Sequence, residues 1–534
     1  MFLCALPASA QSPDDGFLAA LGELREASYV DKERLVGQLR EHGHPSARPV
    51  LTALLEDRLF FRQPDGKIFI VTSIDETLAS LALIDPLSLK DAGSVAREEL
   101  TKIGTNNRLR KLLRTTVARF DLSNPQPAVR RAVVEELMRS LDEASVALLR
   151  TRLGVETDSG VKDAIETGLA LADLDSQDPR RRLSAVARLA QKLQPQVRNR
   201  LAALFEQSAD GSFVESDADV RQAAAAAVHR MDRWRALYGG VETLFFGLSV
   251  GSVLVLVATG LAITFGVMGV INMAHGEMMM LGAYTTYVVQ LAMPNHIGSS
   301  VLVAVPAAFL VAGVAGVILE RSIIRFLYGR PLETLLATFG VSLVLQQLVR
   351  SVFSANNRSV ETPAWMSGTL QINGALSITY NRLYIVIFTM IVFAILQAVL
   401  KRTRLGLEIR AVAQNRAMAQ AMGIRTEWVD ALTFGLGSGI AGIAGVALSQ
   451  FTNVGPNLGQ SYIIDSFMVV VFGGVGNLWG TLVGGISIGV VNQLLEPYSG
   501  AVLAKIIVLV ALILFVQRWP RGLFPQTGRA AESQ

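Results

Sequence analysis

The pattern of apolar and polar positions divides the chain into two unlike parts. Across residues 11–238, charged residues recur every few positions and the sequence reads as one helix after another. From Val241 onward, long stretches carry almost no charge. A helix needs about 20 apolar residues to cross the hydrocarbon core of a bilayer, so these stretches predict membrane spans. We therefore expect an all-α protein, with a helical soluble domain followed by a polytopic helical membrane domain.

Nine membrane spans are predicted. Two of them share residues 466–495, a run without one charge that is interrupted by Gly473, Gly474, Gly476 and Asn477. Broken helices are tolerated in membranes only where the freed backbone is buried in protein or lines a water-filled cavity. These four residues are therefore candidates for a transport pathway. The other seven spans are residues 241–265, 267–291, 299–319, 332–348, 383–400, 428–449 and 501–516.

The distribution of basic residues predicts the orientation of the spans. Short cytoplasmic loops of membrane proteins are rich in Lys and Arg. The loops after residues 319 and 400 and the tail after residue 516 are basic, whereas the loops around Pro294, Pro456 and Pro497 have no Lys or Arg. Counting through nine spans places the soluble domain outside the cytoplasm. The three arginines between residues 230 and 235 argue for the opposite orientation, but a secreted domain crosses largely regardless of charge.

The first twelve residues, MFLCALPASAQS, are consistent with export. Their apolar run ends in Ala8-Ser9-Ala10, a small-residue cleavage pattern, so residues 1–10 resemble the end of a secretory signal peptide whose basic start is missing. The alternative is an apolar N-terminus without a targeting role. Cys4 is the only cysteine of the chain. With or without cleavage, the mature chain is therefore expected to have no internal disulfide.

Composition and motifs exclude several classes of function. The net charge is +4 over 534 residues, and the basic residues of the membrane half lie in a few short loops, so nothing predicts binding to nucleic acid. The chain has no G-x-x-x-x-G-K-[ST] loop for ATP. The five histidines are scattered, and His42 and His44 have no third ligand near them. We predict no enzymatic activity, no metal site and no cofactor.

The soluble half contains one predicted hairpin and a loose repeat. Two apolar runs flank Pro64-Asp65-Gly66 within residues 59–71, which is a hairpin pattern. An acidic or Pro-containing turn, then an Arg and a helix, recurs at residues 125–133, 178–186 and 217–225, with a weaker copy at 159–165. This pattern resembles HEAT-type helical pairs. Stacked pairs of this kind present a surface to a partner, whereas a compact bundle without a binding role is the alternative.

The second predicted span contains a polar motif, residues 272–277. A carboxylate inside a membrane costs at least about 2.5 kcal/mol on insertion scales, so Glu277 is expected to face the bundle interior with a partner. Asn272 and His275 are expected to share a helix face, and Gly276 to loosen the backbone beside them. We expect Glu277 to pair with His275 or to cap freed backbone donors. The motif is either a polar lining of the substrate pathway or a buried network that only locks helix packing.

The loop of residues 401–427 is long, basic and helical in pattern, and Gly423 fits a helix stop. Such a helix, lying flush with the membrane, can dock a cytoplasmic partner. The alternative is an ordinary basic loop that fixes topology.

Three motifs in order resemble one family. Residues 247–252 with 266–277 and 282–284, then 404–413 with 422–424, and finally 472–477 are similar to the branched-chain amino acid type of ABC-transporter permease. The family usually has an aromatic residue where this chain has Met273. The resemblance covers about residues 241–525 and implies that the chain is one permease subunit of such a transporter. It also implies an ATPase-coupling segment, whose matching residues are Gly406, Arg410, Ala411, Ala413, Gly423 and Ile424.

The resemblance also implies partners and a location. The family assembles from two different permease subunits, two cytoplasmic ATPase subunits and a periplasmic substrate-binding protein in the bacterial inner membrane. A large extracytoplasmic extension before the permease, here residues 11–238, resembles the urea-transport branch. The expected domain plan is then completed by the permease at 239–525 and a cytoplasmic tail at 526–534. We expect an importer of urea or a short amide.

Three alternatives stay open at this stage. The first, in the same class, is import of branched-chain amino acids. The second is a helical-repeat receptor or scaffold with a membrane anchor, although an anchor needs only one span. The third is a channel, which needs no ATPase.

Overall fold

The computed structural model describes residues 13–72, 80–139, 141–207 and 212–524. The chain divides into two compact units, the first ending at Asp232 and the second beginning at Arg233. The predicted signal sequence, with Cys4, and the predicted tail at 526–534 lie outside the described residues.

The first unit is built from helices around a small sheet. Three of the helices begin at a proline, Pro127, Pro179 or Pro195, where the missing N–H group costs no helical hydrogen bond. The elements are α1 (Pro13–Glu23), α2 (Tyr29–Glu41), α3 (Ala47–Leu55), β1 (Leu59–Arg62), β2 (Ile68–Val71), β3 (Ser80–Ile84), β4 (Asp91–Ala96), β5 (Leu100–Lys102), α4 (Asn107–Asp121), α5 (Pro127–Leu137), α6 (Glu143–Leu153), α7 (Ser159–Asp173), α8 (Pro179–Leu189) and α9 (Pro195–Ala203).

The sheet corrects the all-α prediction. Strands β1 and β2 form the hairpin predicted for residues 59–71, with Phe60 opposite Phe69, and this prediction is confirmed. Three further strands complete an antiparallel sheet in the order β4-β3-β2-β1-β5. In β3, Leu81 and Leu83 alternate with more exposed residues, and together with Leu100 of β5 they pack on Phe69 in a separate small core.

Arginines organise the turns of the predicted repeat. Arg130 Nη1 donates to the carbonyl oxygens of the residues six and five places before it, at 2.7 and 3.0 Å. Arg182 and Arg221 make the same pair of bonds to the residues six and five places before them. The turn therefore has one geometry in three copies, and the guanidinium group satisfies carbonyls that the turn leaves outside a helix.

Two of these arginines also bind a glutamate from further along the chain. Glu156 accepts from Arg130 Nε and Nη2 at 2.9 and 2.8 Å, and Glu215 accepts from Arg182 in the same bidentate way. Hydrogen bonds from Arg130, with further ones from Asp158 N and Arg152, hold the pKa of the Glu156 carboxyl well below its usual range despite burial. The paired carboxylate also receives backbone N–H groups at the start of α7, so it joins two helices of the first unit.

The second unit is a helical bundle. A long helix, α10, begins in the first unit and continues into the second. The elements are α10 (Ala218–Met268), α11 (His275–Ala292), α12 (Ile297–Ser322), α13 (Pro331–Phe353), β6 (Thr369–Asn373), β7 (Leu376–Thr379), α14 (Tyr380–Arg402), α15 (Arg404–Gln414), α16 (Arg416–Ala421), α17 (Thr426–Ser449), α18 (Leu458–Gly473), α19 (Leu478–Ser499) and α20 (Ala501–Arg518).

Seven helices in the described part of the chain are long and apolar enough to cross a membrane: α10, α12, α13, α14, α17, α19 and α20. Helices α11 and α18 lie at the two remaining predicted spans. The first is shorter than predicted and begins with His275-Gly276-Glu277, and the second has 16 residues. Residues 466–495 do form parts of two helices, but α18 begins earlier than predicted and includes Asp465.

Glycines bring the buried helix α17 close to its neighbours. A Cβ atom on Gly282 of α11 would overlap the carbonyl oxygen of Gly442, and one on Gly437 would lie 2.6 Å from the carbonyl oxygen of Gly260 in α10. Small residues allow this approach in lipid, where helix association depends on close packing. These glycines therefore serve helix packing, and the mostly buried α17 lies at the centre of the bundle.

Candidate functional site

The candidate site lies where the chain passes from α10 to α11. Helix α10 ends at Met268, and Gly269 has a positive φ of 66°. His275, the first residue of α11, lies 3.0 Å through Nε2 from the carbonyl oxygen of Val257. Val257 is eleven residues before Met268, which is about 16 Å along a helix axis. The segment between the helices therefore turns back into the bundle, and α11 begins deep inside it.

This geometry corrects the prediction of one continuous span across residues 267–291. Asn272 precedes α11 and does not share a helix face with His275. Gly276 lies inside α11, and a Cβ atom there would overlap the carbonyl oxygen of Gly459 at the start of α18. Gly276 therefore permits a close helix contact, whereas the break in the backbone lies at residues 269–274.

His275 is fully buried and has a defined tautomer. Because the Val257 carbonyl oxygen can only accept, Nε2 carries the hydrogen of the 3.0 Å bond. In the neutral imidazole Nδ1 is then an acceptor, and it has no hydrogen-bond partner among the described residues. The ring packs against Gly260, where a Cβ atom would lie 3.0 Å from Cε1. The imidazole is thus held rigidly with one nitrogen unused.

Asn272 caps the turn before α11. Its Oδ1 accepts from Ala274 N at 3.0 Å, while Thr338 Oγ1 accepts from Met273 N at 3.1 Å. The Asn272 side chain is buried, and within the described ranges its Nδ2 has no partner. One end of the amide therefore orders the backbone and the other remains a donor.

Glu277 finds its partners on α13. Its Oε1 accepts from Ser342 Oγ at 2.9 Å and from Gln346 Nε2 at 2.8 Å. The predicted pairing with His275 is wrong, because the imidazole is bonded to Val257 and the carboxylate to α13. Ser342 and Gln346 were missed from sequence, although two polar residues four apart in an apolar span are a usable signal.

Three atoms of this motif share one property. Asn272 Nδ2, His275 Nδ1 and Glu277 Oε2 are buried and lack a hydrogen-bond partner in the part of the chain that the structure describes. A buried polar atom is normally paired, so unpaired ones mark a place where polar chemistry is retained at a cost. The set combines one amide donor with an imidazole nitrogen and a carboxyl oxygen.

The second group of predicted pathway residues forms the turn between α18 and α19. Gly474 and Gly476 have positive φ values of 101° and 79°, and Asn477 Oδ1 caps α19 by accepting from Trp479 N at 3.0 Å. The carbonyl oxygen of Gly473 accepts from Phe524 N at 3.2 Å. The freed backbone is thus bonded by the segment that follows α20, and the turn packs at the end of α10 against Gly266.

The predicted coupling segment is two helices, α15 and α16, separated at Asn415. This residue caps α16 by accepting from Met418 N at 2.9 Å. Gly423, with φ of 85°, ends the segment as predicted. Gly406 packs on the backbone of Leu400, to whose carbonyl oxygen Arg410 also donates.

The segment has a buried side and an exposed side. Ile409, Val412 and Ala419 are buried against the bundle together with the partly buried Ala411 and Ile424. Ala413 faces outward. Leu407, Met418 and Met422 also face outward, with 60%, 60% and 77% of their surface exposed. The exposed side is therefore apolar at three places.

A bundle of apolar helices, interrupted by a buried polar turn, is typical of polytopic membrane transport proteins. Sequence comparison specifies the family. The profile described as "Branched-chain amino acid transport system / permease component" matches residues 243–517, half of the chain. The chain belongs to this family of multi-pass membrane permeases.

Individual relatives agree with the profile. The high-affinity branched-chain amino acid permease LivH of Salmonella typhimurium is 32% identical over 294 residues, 53% of this chain and 94% of that protein. BraD of Pseudomonas aeruginosa, of the same description, is 31% identical over 296 residues, 54% and 96% of the two chains. The ribose import permease RbsC of Haemophilus influenzae is 24% identical over 288 residues, 51% and 84%. No solved structure matches significantly.

Proposed function

We propose that this chain is one permease subunit of an ATP-driven importer and that the imported solute is urea or a short amide. Membership of the permease family supports the first half of the proposal. The second half rests on the chemistry of residues 272–277 and on the large segment before the family match, which resembles the urea-transport branch.

The three unpartnered atoms of the motif carry the substrate proposal. Urea is small and neutral, with a carbonyl acceptor and amide donors. Asn272 Nδ2 suits its carbonyl oxygen, and His275 Nδ1 and Glu277 Oε2 suit its N–H groups. No ionic partner is needed, because the solute carries no net charge. Gly276 belongs to this pathway as the close contact that holds the start of α11, and the turn from Gly473 to Asn477 is its proposed second part.

The proposed partners follow from the family and from the exposed side of the coupling segment. They are a second permease subunit, two cytoplasmic ATPase subunits and a periplasmic binding protein. Leu407, Met418 and Met422 offer an apolar surface to an ATPase. The chain itself has no ATP-binding loop, so hydrolysis is assigned to the partners.

We place the first unit in the periplasm and assign it HEAT-like character. The recurring turn around Arg130, Arg182 and Arg221 supports the repeat, and the Lys and Arg bias of the membrane loops supports the orientation. Alkaline phosphatase fused after Asp232 should be active and a fusion after Arg404 inactive. The reverse pattern would refute this orientation.

Branched-chain amino acid import is the second candidate. It is supported by the names of the relatives that are 30–32% identical, which transport those amino acids.

The two candidates differ in a simple growth test. A strain lacking this chain should fail to grow on micromolar urea as its nitrogen source and recover with the intact gene, while its growth on leucine is unchanged. Loss of growth on leucine alone would favour the second candidate. Uptake that survives inactivation of the ATPase would instead indicate a channel.

A further inference from the structure

A group of charged and aromatic side chains joins the coupling segment to the bundle, apart from the motif at 272–277. Its centre is two buried carboxylates: Glu320 in the last turn of α12, with 2% of its side chain exposed, and Asp430 near the start of α17, with 1% exposed. Burying a carboxylate is costly unless an ion pair or hydrogen bonds compensate for the lost water.

Arg416 supplies one pairing and belongs to the coupling segment. It is the first residue of α16, and its Nη2 lies 2.5 Å from Asp430 Oδ2. The same guanidinium group lies over the ring of Tyr328, 4.9 Å from the centroid. Tyr328 in turn donates its hydroxyl hydrogen to Glu320 Oε1 at 2.9 Å. These four side chains therefore form one continuous path from α16 to both α12 and α17.

Arg321 makes a second set of contacts between the end of α12 and the start of α17. It lies 3.7 Å from Glu320 and 3.5 Å from Glu427, and its guanidinium group stacks over Trp428 at 4.5 Å. The end of α12 is thus bound to the start of α17 by two routes. The two helices are expected to move as a pair, since the polar contacts at their ends leave little freedom between them.

The α12–α17 pair is itself packed through glycines onto the candidate site. A Cβ atom on Gly439 of α17 would lie 2.6 Å from Phe309 of α12. On another face of α17, Gly437 contacts Gly260 of α10, and Gly260 contacts His275. Close-packed interiors transmit displacement because they have no free volume to absorb it. A shift of the start of α17 would therefore reach the imidazole through two contacts.

We propose that Arg416, Asp430, Tyr328 and Glu320 form a latch that transmits movement of the coupling segment to α12 and α17, with Asp430 as its positioning residue. This inference rests on the proposed function, in which the segment binds the ATPase. It adds the residues through which that binding reaches the transport site. Asp430 and Glu320 contact neither solute nor nucleotide, so they act through the helices that they join.

The test compares coupling with assembly in the complete importer. Asp430→Asn and Arg416→Gln should each lower the amount of solute moved per ATP hydrolysed by about tenfold, within the range of couplings seen for such residues. The double variant should lose no more than either single variant, because both break one ion pair. Asp430→Glu and Arg416→Lys keep the charges and should retain more coupling.

A matched control is Arg330→Gln, which breaks an exposed ion pair with Glu333, 3.2 Å long. Arg330→Gln should change neither the solute moved per ATP hydrolysed nor the amount of assembled complex. The amount of complex after detergent extraction separates loss of coupling from loss of assembly. Additive losses in the double variant, or normal coupling in assembled Asp430→Asn complex, would overturn the latch.

A second readout does not depend on transport. In the isolated full-length chain, Asp430→Asn should speed hydrogen exchange in both α16 and the first turns of α17, whereas Arg330→Gln should not. Unchanged exchange in α16 would overturn the latch even if the importer carried another solute. If the wild-type complex moves neither urea nor amino acids, the proposed function fails, and the exchange result still decides the latch.

Discussion

His275 Nε2 and the carbonyl oxygen of Val257 are 3.0 Å apart, and this bond fixes the start of α11 against the middle of the membrane part of α10. A helix that begins inside the bundle brings its unpaired backbone N–H groups with it. Met273 N and Ala274 N are satisfied by Thr338 and Asn272, whereas Asn272 Nδ2, His275 Nδ1 and Glu277 Oε2 have no hydrogen-bond partner among the described residues. The broken helix is thus both a structural joint and the proposed solute site.

The first prediction distinguishes the role of the Asn272 Oδ1 acceptor from that of its Nδ2 donor. Asn272→Leu should lower uptake at least about tenfold while the complex still assembles, because it removes the proposed hydrogen bond to the solute, which would be worth on the order of 1.5 kcal/mol. Asn272→Asp keeps the acceptor for Ala274 N but removes the donor, and it should also lose uptake. If Asn272→Asp transports normally, the role of Asn272 is limited to accepting the hydrogen bond from Ala274 N.

Normal uptake by Asn272→Leu at wild-type abundance would reduce the motif to packing. The lining would then have to be sought near the turn from Gly473 to Asn477.

The second prediction concerns Glu277. Glu277→Ala leaves Ser342 and Gln346 without their shared acceptor, at a cost of about 1–3 kcal/mol for buried groups left unpaired. We expect less assembled complex and a lower thermal midpoint in detergent, measured by size-exclusion chromatography after heating. Glu277→Gln retains an acceptor oxygen, so its thermal midpoint should lie between those of the wild type and Glu277→Ala. Glu496→Ala, at an exposed position, is the control. Wild-type stability of Glu277→Ala would contradict the structural role.

Local physical constraints explain what the sequence predicts well. The apolar runs locate the seven helices of the described residues that are long and apolar enough to cross a membrane, because the thickness of the bilayer acts on each segment separately. The Pro-Asp-Gly turn likewise locates the hairpin at residues 59–71, because a turn is specified by a few neighbouring residues.

Pairings between distant segments are the part that sequence reasoning misses. Glu277 is bonded to residues 65 and 69 positions away on α13, and no local pattern selects them over His275 nearby. The strands β3 to β5 depend on pairing with the hairpin, and Asp430 depends on Arg416 for its burial. The sequence suggests that Gly276 loosens the backbone, but the break lies at residues 269–274. Gly276 instead packs on Gly459, a contact that no local pattern reveals.

The third prediction is a pH effect in the first unit. The pKa of Glu156 is lowered in the folded state, chiefly by Arg130. Its contribution to stability is therefore complete above the carboxyl's unfolded pKa of about 4.3 and is lost as the pH falls toward the folded pKa. Glu156→Gln should speed hydrogen exchange in α5 and α7 at pH 7, and the difference from wild type should shrink below about pH 4.

Glu135→Gln is the matched control for this effect, since Glu135 forms an exposed pair with Arg131 at 3.0 Å. Comparing variants at one pH cancels the intrinsic change of exchange rate. A Glu156→Gln difference that grows as the pH falls would contradict the assignment.

The fourth prediction concerns the coupling segment. Gly423 has φ of 85°, so any side chain there strains the backbone and obscures the result. Met422 is the cleaner position, because 77% of its surface is exposed. Met422→Glu should abolish the stimulation of ATP hydrolysis by loaded binding protein and leave membrane insertion intact. Met422→Leu should retain stimulation. Full stimulation in the Glu variant would reduce the segment to a loop that fixes topology.

The central claim is that this permease carries urea, and transport by the purified importer tests it most directly. The complete complex is reconstituted in liposomes with its binding protein, and accumulation of labelled urea and labelled leucine is followed with and without ATP. We predict ATP-dependent accumulation of urea that unlabelled urea or a short amide suppresses and excess leucine does not. Accumulation of leucine without urea would contradict the account.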